Sequence, residues 1–94
     1  MTIPFSARLS APPDVLVSEL AGESVILNLK SECYFGLDEM GTRMWNALTT
    51  SDCIQSAYEG LMAEYDVGEE ELRNDLTELI EKLVNQGLLE IVSE

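Results

Sequence analysis

The sequence predicts an α+β fold, a three-stranded antiparallel sheet followed by three helices, and two observations carry that expectation. Between Val15 and Leu37 the apolar residues fall in short β-prone runs separated by turn signals. From Asp38 to Val84 they recur at three- and four-residue steps, the period of an amphipathic helix. A chain of 94 residues has the size of one domain. The expected organisation is an extended or flexible arm over residues 1–14, followed by a single domain over residues 15–92.

The arm is inferred from Pro4, Pro12 and Pro13, which together with Ser6 and Ser10 leave no sustained period. Leu16, Val17 and Leu20 then lead into Ala21-Gly22-Glu23, after which Val25, Leu27 and Leu29 alternate with Ser24 and Asn28. That pattern reads as strand, turn at Gly22, strand. After the polar break Lys30-Ser31-Glu32, Cys33-Tyr34-Phe35-Gly36-Leu37 supplies a third strand and completes a meander.

Asp38 is placed as the N-cap of a first helix, its carboxylate available to otherwise unpaired amides, with Met40, Met44, Trp45 and Leu48 on one face. Trp45 reads as a core anchor. Gly41 within this helix costs roughly 1 kcal/mol relative to alanine, and close approach of a strand is the expected reason for it. Ser51 or Asp52 starts a second helix with Ile54, Ala57, Tyr58, Leu61, Met62 and Tyr65 in phase, ending near Asp66-Val67-Gly68. The third helix has the clearest pattern: Leu72, Leu76, Leu79, Ile80, Leu83 and Val84, closed by Asn85-Gln86-Gly87. Glu69, Glu70 and Glu71 suit the positive end of its dipole, and Glu69 with Arg73 and Glu78 with Lys82 are spaced as i,i+4 ion pairs. Leu88, Leu89, Ile91 and Val92 end the chain as a short extended segment.

Charge excludes whole classes of partner. Five basic residues against 18 acidic ones give a net charge of −13, and after Ser51 12 acids face only Arg73 and Lys82. A nucleic-acid backbone or an anionic membrane surface requires a cationic stripe, so neither is expected as a partner. A basic or neutral peptide or protein is favoured by elimination. The N-terminal residues lack a basic region followed by a long apolar run, so a cytoplasmic location is expected.

Catalysis is not expected either. Histidine is absent, and serine, threonine and cysteine have no partner at a recognisable spacing. Cys33 and Cys53 lie 20 residues apart with no second ligand beside either, which argues against a metal site and fits two reduced thiols. Asp66-Val67-Gly68-Glu69 lacks the alternating acidic ladder of a calcium loop, and no glycine-rich phosphate motif occurs. No cofactor and no metal are therefore expected.

What remains is binding. A three-stranded meander leaves two edges with unpaired backbone groups, a template for an arriving extended chain. The apolar positions of the third helix spread over roughly 140°, wider than packing on one neighbour needs, so one edge of that stripe is available to line a groove. A strand edge beside such a stripe is a site for peptide capture by strand addition.

The run Tyr34-Phe35-Gly36-Leu37-Asp38-Glu39-Met40-Gly41-Thr42-Arg43-Met44-Trp45 resembles the strand-to-helix junction of the PqqD family, and the stretch from Asp75-Leu76 to Gly87-Leu88-Leu89 fits the family's third helix. The resemblance covers about Val15 to Val92. It implies a winged-helix-like domain that binds leaders of ribosomally made, post-translationally modified peptides, the leader adding to the third strand and packing on the third helix. Carried onto this chain, the implied peptide-binding residues are Cys33, Tyr34, Phe35 and Gly36 on the edge, with Leu72, Asp75, Leu76, Leu79 and Lys82 on the helix. Asp75 is a candidate partner for a basic leader residue. Which of Leu72, Leu76 and Leu79 face the groove rather than the core is left open at this point.

Free-standing members that serve lasso-peptide pathways are the closer branch on length and on the Tyr34 to Asp38 run. There the module delivers the precursor to a leader peptidase, after which a cyclase closes the ring; in the quinone branch the partner is a radical enzyme. Two readings of other classes stand beside these. An acidic winged-helix regulator would need a basic recognition helix, which is missing, and a carrier protein would need an Asp-Ser-Leu-like attachment site, also missing. The expected oligomeric state is a monomer or a weak homodimer, since a vacant edge can also pair with its twin.

Overall fold

The computed structural model describes residues 4–92. The elements run β1 (Arg8–Ser10), β2 (Val15–Leu20), β3 (Glu23–Asn28), β4 (Cys33–Leu37), α1 (Glu39–Thr50), α2 (Ile54–Glu64), α3 (Glu69–Asn85) and β5 (Glu90–Val92). The expected three-stranded sheet is present, in the order β2-β3-β4, and three helices follow it. The strand expected as the third is β4, because a short strand precedes the meander. None of the helices among the described residues is long and apolar enough to cross a membrane.

The β2–β3 hairpin closes through Ala21 and Gly22, whose φ values of 55° and 84° are those of the tight two-residue turn that matches strand twist. The next turn is built by one side chain. Asn28 Oδ1 accepts from the amides of Lys30 and Ser31 at 2.9 and 3.1 Å, while its Nδ2 donates to the Gly87 carbonyl at 2.8 Å. One side chain thus shapes the β3–β4 turn and ties the sheet to the end of α3.

Strand β3 turns Ser24, Ile26 and Asn28 toward the helices, and only Ile26 of these is apolar. The alternating set Val25, Leu27 and Leu29 faces outward, with Val25 46% and Leu29 52% exposed. Burial of polar Ser24 is tolerated because its hydroxyl lies 2.8 Å from that of Thr42 on α1. The core fills from the helices: Met44, Trp45 and Leu48 on α1, Ile54, Ala57, Tyr58 and Leu61 on α2, and Leu72, Leu76, Ile80 and Leu83 on α3, joined by Leu88 and Leu89.

Residues 8–10, within the segment expected as an arm, pair as β1 antiparallel with β5, with Leu9 opposite Ile91. Residues 1–3 of that segment lie outside the described residues. The stretch before β1 completes α2. The α2 N-cap, Cys53, makes no side-chain capping bond, and the amides of Ile54 and Gln55 donate instead to the carbonyls of Ala7 and Phe5 at 2.9 and 2.7 Å. The Phe5 ring meets Tyr58 edge-on at 5.8 Å, and the Arg73 guanidinium sits 4.4 Å above the Phe5 ring and 5.1 Å from that of Tyr58. The expected Glu69–Arg73 pair is not formed, because Arg73 is drawn to these two π faces, whereas Glu78 and Lys82 do approach, to 3.6 Å.

Helix α3 ends in a Schellman turn: Leu88 N donates to Leu83 O at 2.9 Å, Gly87 N donates to Val84 O at 3.1 Å, and Gly87 adopts φ 73°. Leu83 and Leu88 are both fully buried, the apolar contact that accompanies such a turn. Replacing Asn28 with alanine should remove about 1–3 kcal/mol of stability, read as a lower urea midpoint at unchanged m-value, because three backbone groups lose one shared partner.

Candidate peptide-binding groove

Helix α1 starts immediately after β4. Asp38 fixes the junction as expected, its Oδ1 accepting from Gly41 N at 2.8 Å. Gly41 is there for space: a Cβ at that position would lie 3.2 Å from Leu37 Cδ2 and 3.3 Å from Leu37 Cβ, so the strand approaches as closely as a bare backbone permits. The tight junction brings the start of α1 and the outer side of β4 together, and α3 closes the third side. Between the three elements lies an open groove of about 460 Å³.

The groove has an apolar floor. Leu37 and Met44 are buried, and Phe35, Met40 and Leu79 are half-buried with part of each side chain open to the cavity. Asp38, Asp75, Glu78 and Lys82 form a charged rim. Lys82 reaches only Glu78, so the rim keeps a net negative charge. Along one side runs the outer edge of β4, which pairs with β3 alone; among the described residues no strand occupies its other side. Residues 90–92, the last described, pair elsewhere, as β5 on β1.

The nine residues proposed from the sequence separate into distinct places. Phe35, Gly36, Asp75, Leu79 and Lys82 meet around the groove. Cys33 and Tyr34 lie further back along β4, Cys33 half-buried and Tyr34 74% exposed on the outer sheet face. Leu72 and Leu76 are 1% and 0% exposed and belong to the core, so Leu79 is the leucine of the three that reaches the groove. Met40, Gly41 and Met44 also line it and were not anticipated as site residues. Met40 and Met44 stand one helical turn apart on the stripe assigned to packing, and two flexible thioethers at such spacing beside a vacant edge were the available signal.

The cysteines are free thiols outside the groove lining. Cys53 Sγ lies 3.5 Å from Ser56 Oγ, and hydrogen bonding with that hydroxyl is the main cause that holds the thiol below its ordinary value. Among the described residues no cluster of three or more potential ligands could hold a metal ion.

Comparison with known proteins agrees with this architecture. The model of the family Coenzyme PQQ synthesis protein D (PqqD) matches residues 23–89. A solved structure of TbiB1 in complex with the TbiA(beta) leader peptide is 29% identical, with a TM-score of 0.81 over 90% of this chain and 99% of that one. A lasso peptide synthetase B1 complexed with the leader peptide shares the fold at 20% identity and a TM-score of 0.79, over 89% of this chain and 99% of that one. No curated protein matches.

The division of the α3 stripe has a direct consequence for stability. Leu76→Ala should cost about 2–5 kcal/mol, as for a fully enclosed leucine. Leu79→Ala, whose side chain is already partly in water, should cost less, roughly 1–2 kcal/mol on the scale of buried apolar area. Urea titration of the two variants side by side measures the contrast, and equal losses would mean that Leu79 is a core residue.

Proposed function

The chain belongs to the PqqD family, and from that premise we propose that it is a non-catalytic module that binds the leader region of a ribosomally synthesised precursor peptide. The leader adds as a further strand on the outer side of β4 and sets alternate side chains into the groove against α3. The observation that carries this reading is the vacant β4 edge lying along an apolar floor that three elements share. The other edge, β2, has no such floor, since Leu16, Val17 and Leu20 are all exposed.

Magnitudes explain why edge and floor must act together. Four new backbone hydrogen bonds contribute a net ~1 kcal/mol each, while ordering the peptide costs ~1–2 kcal/mol per residue. The backbone alone does not hold the leader. Each apolar side chain fully buried on Phe35, Met40, Met44 and Leu79 adds roughly 1.5–3 kcal/mol and supplies the surplus. The leader complex of the 29%-identical TbiB1 supports this assignment of ligand class. With the leader held at the groove, the rest of the precursor is free for other enzymes, in this reading a leader peptidase and then the cyclase of a lasso-peptide pathway. The Tyr34 to Asp38 run supports that branch.

Isothermal calorimetry with the leader of the precursor encoded beside this gene should give sub-micromolar to micromolar binding. Leu79→Asp should weaken it by about tenfold or more, since a carboxylate would replace apolar contact on the groove floor. Strand addition is tested separately with N-methylated leaders. Methylation of the amides that face β4 should abolish binding, and methylation of the intervening amides should leave it largely intact. Indifference to both sets would exclude the strand mode.

A further inference from the structure

Gly36 stands between two depressions. One is the groove described above. The other, about 530 Å³, opens on the outer face of the sheet, and Gly36, Leu37 and Asp38 line both. The remainder of the outer depression is lined by apolar Leu20 and Val25, by Ser18 and Ser24, and by acidic Glu23. Val25 is the cross-strand neighbour of Gly36, and both are exposed. One register step beyond the Ser24–Leu37 pair, Glu23 and Asp38 stand at the same level.

Resting on the proposed mode of leader binding, we infer that this outer depression is a second subsite for the same peptide, selective for a long cationic side chain, arginine or lysine. Side chains of an added strand alternate between faces, so a leader that sets one residue into the groove must turn the next one outward. The residue beside Gly36 on the outer face meets no side chain there. A Cβ at Gly36 would touch nothing within 4 Å, and the way across to Val25 is open. Val25 lies two strand spacings from the added chain, roughly 10 Å, a distance that only a long side chain crosses.

The chemistry of the depression selects among long side chains. A methylene stem can lie over Gly36 and Val25 while its charged head stays in water near Glu23 and Asp38, the usual compromise of lysine and arginine. Asp38 uses Oδ1 to cap α1. Glu23 has no cationic partner among the described residues. An acidic leader residue is repelled by both carboxylates and by a chain that carries −13 overall. Gly36 is then a specificity-determining residue: its missing side chain is the passage from the edge to Glu23 and Asp38.

A display library of randomised 12-residue peptides tests this without knowledge of the natural leader. Peptides selected on the intact chain should share an apolar groove residue and, at an adjacent or otherwise odd-numbered offset, enriched arginine or lysine. Two exposed, fold-neutral changes then read the subsite. Glu23→Gln should weaken a selected peptide by roughly threefold to tenfold and flatten its salt dependence. Val25→Arg, exposed and outside the groove lining, should abolish the preference for arginine over alanine at that offset while the groove residue is still selected. Thermal melts confirm that both variants are folded. Enrichment of groove residues with no cationic preference, or a preference unchanged in both variants, overturns the subsite and leaves the leader-binding reading standing. Failure to select any peptide overturns both.

Discussion

The structure depends on how the chain leaves its last helix. The Schellman turn at Gly87, with its amide on Val84 and that of Leu88 on Leu83, reverses the chain and buries Leu88 and Leu89. The segment that follows is delivered to β1 and not to β4. Asn28 Nδ2, bonded to the Gly87 carbonyl, locks that exit to the sheet from the opposite side. With β5 committed to another strand, no strand among the described residues fills the β4 edge. A vacant edge is otherwise a liability in a small protein, and here it is kept beside a groove that gives it a ligand class.

The N-terminal stretch plays the complementary part. Carbonyls of Phe5 and Ala7 satisfy the first amides of α2 in place of a capping side chain, and the Phe5 ring sits against Tyr58 under Arg73. Arg73 lies on α3 two residues before Asp75, so the segment whose carbonyls cap α2 also contacts, through the Phe5 ring, the helix forming one groove wall. The two ends of the described chain then pair as β1 and β5, a second small sheet separate from β2-β3-β4.

Within the groove the division of labour follows from helix geometry. Positions 72, 76, 80 and 83 point to the centre of the core and are sealed, while 79 lies toward the flank of the stripe and reaches the cavity. Acidic residues populate the rim where the apolar stripe ends, which keeps the empty groove soluble and biases it toward neutral or basic peptides. Gly41 and Gly36 serve opposite ends: the first lets the strand and helix close on each other, the second leaves a gap on the outer face.

Much of this was legible in the residues. Local periodicity and turn chemistry determined the order of the meander and the three helices, the Asp38 cap and the glycine stop at Gly87, because each is set by neighbours within a few positions. Three things were decided only by tertiary contact. The face of β3 was one, since strand alternation marks two faces without saying which is covered; the helices cover Ser24, Ile26 and Asn28 because Thr42 and the Gly87 carbonyl receive the two polar side chains. The partner of Arg73 was another, because the ring of Phe5 arrives from 68 positions away in sequence. The third was which leucine of α3 meets the groove. Leu72, Leu76 and Leu79 share one apolar stripe, and only the placement of β4 and α1 around it leaves Leu79 at the opening and the other two inside.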